Sequence, residues 1–135
     1  MKYILIIMFI TMNVKAEVNA EDNSEVKMND QCGLQSELPK ESRLYNEIKW
    51  TTASEQDNFG YDIYRSDTEE GEFDIINEDT LQGAGTTIDE SKYAFRDDTI
   101  DPCKVYYYYV ESIATNGTRE AFTPVFPSKR KIEAK

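Results

Sequence analysis

The 135-residue chain contains no histidine, only two cysteines, and 15 basic residues against 26 acidic ones. Without histidine it lacks the commonest general base and a common metal ligand, and the G-x-S-x-G nucleophile motif and the twelve-residue EF-hand pattern are absent as well. Closely spaced acids at Asp97, Asp98 and Asp101 suit calcium, but solvated charge in a surface loop is the favoured interpretation. We therefore predict a protein that is not an enzyme and has no cofactor and no metal site.

The excess of acids gives a formal charge of −11, and the charge becomes −13 without residues 1–16, which hold two lysines and no acid. A field of this sign repels nucleic acid and anionic lipid, so no nucleic-acid partner is expected. One basic cluster closes the chain at Lys129, Arg130, Lys131 and Lys135, opposite in sign to the acidic segment 17–30. Solvated termini are favoured here, and end-to-end association between copies is the alternative.

Residues 1–16 have the features of a signal peptide: Lys2, an apolar stretch from Tyr3 to Ile10, and Val14 and Ala16 before Glu17. The apolar stretch is too short to span a bilayer, which needs about 20 residues. No cysteine follows the predicted cleavage site directly, so lipid attachment is disfavoured. The sequence thus predicts export, to the periplasm or outside the cell, with attachment to the cell surface left open.

After the signal peptide we expect a flexible acidic leader (17–30), one folded domain (31–127) and a basic tail (128–135). In an oxidising compartment Cys32 and Cys103 are expected to form one disulfide, closing a loop of about 70 residues. That bond requires the segment Gln31 to Pro39 to run irregularly. If it does not, pairing with a cysteine of another chain is the alternative.

The folded part predicts strands and turns but no helix. Lys104 to Gly117 alternates as one long strand, with Tyr106, Tyr108 and Val110 on the buried face. Asn116-Gly117 predicts a tight hairpin turn. Two other segments are expected to interrupt the strands: the polar stretch TASEQDNFG and the run Gly83 to Gly85. Further strands are predicted at 44–51, 60–65, 73–76, 93–97 and 120–126.

Several blocks together resemble a fibronectin type III domain, in particular the bacterial extracellular variety. They are IKWTTASEQDNFGYDIYRS, EGEF, LQGAGTT, YAFRD and YYYYVESIATNGT, in that order over about Leu44 to Thr123. The resemblance implies an all-β, seven-stranded, immunoglobulin-like β-sandwich. It also implies core positions for Trp50, Tyr61 and Ile63, and it makes Tyr106 the corner tyrosine whose hydroxyl turns back onto nearby backbone. No Arg-Gly-Asp tripeptide is present, so integrin binding is not implied.

The function suggested by the residues is binding through what we call the tyrosine face: Tyr64, Tyr107 and Tyr109, bordered by Asp62 and Glu111. These side chains should lie on the outward side of two neighbouring strands. Tyrosine offers rigid contact area with a polar tip, which suits a protein or a polysaccharide partner. The alternative is that these tyrosines are cross-strand pairs that only stabilise the sheet. A purely architectural subunit that associates with copies of itself is a third hypothesis.

Overall fold

The computed structural model describes the backbone of residues 6–11 and all atoms of residues 26–133. These residues form antiparallel strands and one 3-10 turn (Lys40–Ser42), and within them no helix is long and apolar enough to cross a membrane. In chain order the strands are β1 (Ile6–Thr11), β2 (Asn46–Thr52), β3 (Glu55–Ser66), β4 (Asp74–Ile75), β5 (Leu81–Thr87), β6 (Ser91–Asp97), β7 (Tyr107–Ala114), β8 (Arg119–Ala121) and β9 (Phe126–Pro127).

The strands make two sheets. One has the order β1-β2-β6, and the other is built on the central pair β3-β7. β4 and β5 share the outer edge of β3, while β8 and β9 share the outer edge of β7. The nine described strands therefore occupy three lateral positions in one sheet and four in the other. The predicted number of seven differs from nine because both outer edges of the larger sheet are interrupted.

The core lies between the two sheets. β2 alternates buried and half-buried residues along its length, as expected for a strand with one face on the core. Trp50 stacks on Tyr93 of the same sheet at 5.3 Å between ring centroids and meets Tyr61 of the other sheet edge-on at 5.2 Å. All six residues predicted for the core are buried: Trp50, Tyr61, Ile63, Tyr106, Tyr108 and Val110. The Tyr106 hydroxyl accepts a hydrogen bond of 2.8 Å from the backbone N–H of Asp101, close to the start of β7.

Two segments that were expected to interrupt the strands belong to them. In the polar stretch TASEQDNFG the turn is limited to the residues around Ser54, and β3 begins at Glu55. Gly83 and Gly85 lie within β5, which pairs with β3. The glycines allow a close approach of these strands. A Cβ atom at Gly60 would lie 2.3 Å from the Leu81 carbonyl oxygen, and one at Gly83 would lie 2.5 Å from the Asn58 side chain.

Buried carboxylates connect the two sheets. Glu55 of β3 accepts a hydrogen bond of 2.6 Å from the Tyr93 hydroxyl of β6, together with bonds from Thr52, Asn58 and Tyr61. Burial acts to raise the pKa of Glu55, but the hydrogen bonds from Tyr93, Asn58, Tyr61 and Thr52 outweigh it and lower the pKa below its ordinary value.

Asp97 is not the solvated loop residue that the sequence suggested. It ends β6 with its side chain 2% exposed, and it forms a salt bridge of 2.9 Å with Arg65 of β3. The Tyr108 hydroxyl of β7 also donates to it at 2.6 Å. A charge at this position is tolerated because a cation and several hydrogen-bond donors surround it.

The disulfide joins Cys32 to Cys103 with 5.3 Å between their Cα atoms. The path from Gln31 to Pro39 is irregular, which is what this bond required. Asp101 lies close to both sulfurs, but the sulfurs are bonded to each other and offer no thiolate for a metal. The bond is consistent with an oxidising extracellular or periplasmic location.

The terminal segments are attached to the domain more closely than expected. The backbone N–H of Asn29, near the end of the predicted leader, donates to the Ser42 carbonyl at 2.8 Å. In the tail, Ser128 and Tyr106 are hydrogen-bonded, and the Lys131 N–H donates to the Pro102 carbonyl at 2.8 Å. Burial lowers the pKa of Lys131, so this residue is not a solvated tail charge. Residues 12–25 and 134–135 lie outside the described residues, and they include positions 17–25 of the predicted leader and Lys135 of the predicted tail.

β1 lies within the segment predicted as a signal peptide. It pairs antiparallel with β2 from Ile6 opposite Thr52 to Thr11 opposite Glu47. The remaining residues of the segment 1–16 lie outside the described part of the chain. Cleavage after Ala16 stays a prediction, and it would remove this strand.

Candidate binding site: the tyrosine face

Two of the three tyrosines of the tyrosine face form a stacked pair. Tyr64 of β3 lies directly opposite Tyr109 of β7 in the register. Their rings are parallel to within 3°, with 4.7 Å between centroids. Aromatic pairs in this arrangement contribute about 0.5–1.5 kcal/mol beyond the area they bury. The pairing of β3 with β7 thus fixes both rings in one orientation.

Apolar neighbours extend this pair toward β4. The Phe73 ring contacts Tyr109 at 5.2 Å in a tilted orientation, and Ile75 stands opposite Tyr64 in the register. Tyr64, Tyr109 and Phe73 are half-buried, whereas Ile75 is 49% exposed. The face is therefore a ridge of packed side chains with an exposed apolar end at Ile75.

Tyr107 lies on the same side of β7 but is not part of the stack. It stands opposite Ser66 on one side and Pro127 on the other, and it is half-buried. Within residues 26–133 it makes no ring contact with another aromatic residue. The structure thus brings Tyr64 and Tyr109 together and leaves Tyr107 beside them.

The two carboxylates of the tyrosine face also stand opposite each other, Asp62 on β3 and Glu111 on β7. Like charges at such positions destabilise a sheet unless a cation lies between them. Arg119 of β8 supplies that cation, because its Nη1 donates to Asp62 at 2.8 Å and to Glu111 at 2.7 Å. The Tyr64 hydroxyl donates to Glu111 at 3.1 Å and connects the ion pair to the stacked rings.

Asp62 is not an exposed border of the face. It is 4% exposed, and Asn77 and Thr80 also donate to its carboxylate, at 2.9 and 2.8 Å. Burial acts to raise its pKa, but hydrogen bonds from Arg119, Asn77 and Thr80 lower it below the ordinary value. Asp62 therefore holds Arg119 in place and has little surface left to offer a partner.

The titration behaviour of the remaining groups keeps their charges fixed near neutral pH. Hydrogen bonds to Asp62 and Glu111 raise the pKa of Arg119, so the guanidinium stays charged. Burial and the Glu111 charge raise the pKa of both Tyr64 and Tyr109, so both hydroxyls stay protonated. Within residues 26–133 the Tyr109 hydroxyl has no hydrogen-bond partner, and a ligand can supply one.

Arg119 was not among the residues proposed from the sequence. The sequence feature that could have identified Arg119 is the turn Asn116-Gly117. This turn sets the register of β8 against β7 and places Arg119 opposite Ile113. Ile113 and Glu111 are two residues apart on one strand, so they share a face. The hairpin register therefore contained the information that Arg119 lies near Glu111.

Comparisons with protein families, with curated proteins and with solved structures gave no match for this chain. Within residues 26–133 the arrangement offers half-buried tyrosine rings, the hydroxyls of Tyr107 and Tyr109 without hydrogen-bond partners, and an exposed guanidinium.

Proposed function

We propose that the chain is an exported, non-catalytic fibronectin type III-like module that binds a protein partner through the tyrosine face. The finer fold assignment is supported by the strand order that remains without β1, with β2 and β6 in one sheet and four positions in the other, and by the Tyr106 hydroxyl bonded to backbone near the start of its strand. The resemblance of the sequence blocks to this family supports it independently of the strand order.

The observation that carries the binding proposal is the stacked pair Tyr64 and Tyr109 joined through Glu111 to Arg119. Tyrosine and arginine are enriched among residues that dominate the energy of protein interfaces. Here the side chains are already held by stacking and by ion pairs, so little conformational entropy is lost on binding. A preorganised patch of this kind favours a binding role over simple stabilisation of the sheet.

The surroundings indicate a basic partner. The turn between β3 and β4 and the first residue of β4 carry five acidic residues, all exposed and with no basic residue among them: Asp67, Glu69, Glu70, Glu72 and Asp74. This turn also holds Phe73, which contacts Tyr109. A partner with an apolar anchor flanked by lysine or arginine would match both the ridge and the acidic turn.

A protein partner is favoured over a polysaccharide by the ring geometry. Sugars bind best on the open face of an aromatic ring, but Tyr64 and Tyr109 each turn one face to the other. Phe73 covers a further part of Tyr109. The ring surface that these contacts leave and the Tyr109 hydroxyl are better suited to side chains and backbone of a protein.

The test is affinity capture from extract and envelope of the source cells with wild type and a Tyr64→Ser/Tyr109→Ser variant. Tyr45→Ser is the matched control, because Tyr45 is a half-buried tyrosine that lies under Arg96, away from the tyrosine face. We expect a basic protein to be retained by wild type and by the control but not by the double variant. Its retention should fall with added salt.

Thermal unfolding of the three proteins separates binding from stability. A partner lost only from the double variant, at a temperature where all three remain folded, supports the proposal. Equal retention by all three refutes it. Retention of a polysaccharide in place of a protein would support the carbohydrate alternative, and a mass that rises with concentration without any ligand would support self-assembly.

A further inference from the structure

The outer edge of β2 is covered in the structure by β1, which lies inside the segment predicted to be removed on export. Six consecutive residue pairs join these strands without a shift in register. β6 lies along the other edge of β2. Removal of residues 1–16 would therefore leave β2 with an open edge.

An open β2 edge would leave backbone hydrogen-bonding groups of the sheet without partners. It presents a row of unpaired N–H and C=O groups to which another chain can pair. The strand contains no proline and its pairing with β1 contains no bulge, so two of the features that block such pairing are missing, and its charged residues Glu47 and Lys49 lie on the side that faces away from the core. Its core face holds Ile48 and Trp50, both nearly fully buried with β1 in place.

The rest of the chain has no suitable replacement. The sequence of residues 17–25 contains only Val18 and Ala20 as apolar residues. The start of the described leader is bonded to Ser42 through Asn29, and the tail is bonded to Pro102 and Tyr106.

A second copy does not fill the position either. Its own β2 is the strand with the equivalent open edge, but the Ile48 and Trp50 of that strand are packed in the core of the second copy. Pairing of two β2 strands would satisfy backbone groups and add no apolar side chain to either core. The occupant must be a segment that is not already part of a folded core.

We propose that β2 is a strand acceptor: after removal of residues 1–16, its outer edge binds an extended segment of another polypeptide in antiparallel orientation. Such strand addition takes its affinity from backbone hydrogen bonds and its specificity from alternate side chains. The segment carries large apolar residues at the positions opposite Thr52, Trp50 and Ile48. The inference rests on the proposed export but not on the tyrosine face, which lies on the other sheet.

The register of β1 defines the probe. It is a fluorescent peptide with the sequence of residues 4–13 and added lysines for solubility. One control peptide has serine at the three positions opposite Thr52, Trp50 and Ile48, namely 6, 8 and 10. The other has serine at 7, 9 and 11, which stand opposite the half-buried Thr51, Lys49 and Glu47.

Binding is measured by fluorescence anisotropy on the full chain carrying a protease site between Ala16 and Glu17, before and after cutting. The chain folds before it is cut. After cutting, an excess of the labelled peptide replaces the released fragment 1–16 on β2. We expect the parent peptide to bind the cut chain at least tenfold more tightly than the uncut chain. Serine at 6, 8 and 10 should weaken binding at least tenfold, and serine at 7, 9 and 11 should change it less than threefold.

Absence of binding to the cut chain, or equal binding of the two serine peptides, would overturn the proposal. The mass of the exported protein tests the premise: a chain beginning at Glu17 supports it, and a chain that retains residues 6–11 overturns it because the edge stays covered. The Tyr64→Ser/Tyr109→Ser variant should bind the peptide as wild type does. Loss of capture at the tyrosine face is thereby distinguished from failure at the β2 edge.

Discussion

Tyr106, Tyr107 and Tyr108, three of the four consecutive tyrosines at 106–109, differ in what their hydroxyls contact, so removing each hydroxyl tests the structure directly. The Tyr108 hydroxyl donates to Asp97 at 2.6 Å and accepts from the Asn46 amide at 2.8 Å, and both partners are buried. Burial and the neighbouring Asp97 raise the pKa of Tyr108, which keeps the hydroxyl protonated as a donor.

Tyr108→Phe should lower the free energy of unfolding by about 3 kcal/mol, because one charge-assisted and one neutral hydrogen bond are lost and a buried amide donor is left unpaired. Tyr106→Phe removes one neutral bond, from the Asp101 N–H, and should cost about 1 kcal/mol. Tyr107 makes no side-chain hydrogen bond within residues 26–133, so Tyr107→Phe should stay within about 0.5 kcal/mol of wild type.

The assay is urea unfolding followed by circular dichroism at neutral pH, with the m-value checked for each variant. The expected order of stability is Tyr107→Phe, then Tyr106→Phe, then Tyr108→Phe as the least stable. If Tyr108→Phe were as stable as Tyr107→Phe, the buried Asp97 network would not have the role described here.

Three further results are expected from the same unfolding measurements. The pKa of Glu55 in the folded protein lies below its ordinary value of 4.5, so its contribution to the free energy of unfolding is present above pH 4.5 and is lost as the pH falls through the folded pKa. Glu55→Gln should therefore lower the free energy of unfolding by about 1–3 kcal/mol at pH 7 and flatten the dependence of stability on pH in acid. Reduction of the bond between Cys32 and Cys103, or their joint replacement by serine, should cost on the order of 4 kcal/mol, because the loop spans 71 positions, and an unchanged urea midpoint would contradict this. Gly60→Ala should destabilise by more than 1 kcal/mol because its Cβ would overlap the Leu81 carbonyl, whereas Gly117→Ala tests only the turn conformation.

Alternation along the chain was enough to predict the buried face of β2 and of β7, but it predicted neither the burial of Asp62 on β3 nor the strand β5. Tyr106, Tyr108 and Val110 are buried and their neighbours are half-buried, as a period of two requires. The pairing of Tyr64 with Tyr109 also follows from neighbouring strands with the predicted faces. The all-β character and the β2 core position of Trp50 needed no more than this.

Other features depend on contacts between distant parts of the chain. Glu55 belongs to a polar stretch that is typical of a turn, and it is buried because Tyr93, 38 positions later, donates to it. Gly83 was interpreted as a break, but its missing side chain allows close approach to Asn58. The salt bridge of Asp97 with Arg65 likewise joins two sheets. Local sequence contains no record of such partners.

Trp50 gives the protein a built-in optical reporter. It is the one tryptophan of the chain, it is 1% exposed, and it stacks on Tyr93 while touching Tyr61. Its emission should therefore be that of an indole in an apolar environment, and excitation of the two tyrosines should reach it by energy transfer. Because Trp50 stands on β2, quenching of its emission by acrylamide would follow the occupancy of that edge in the unlabelled, unmodified protein.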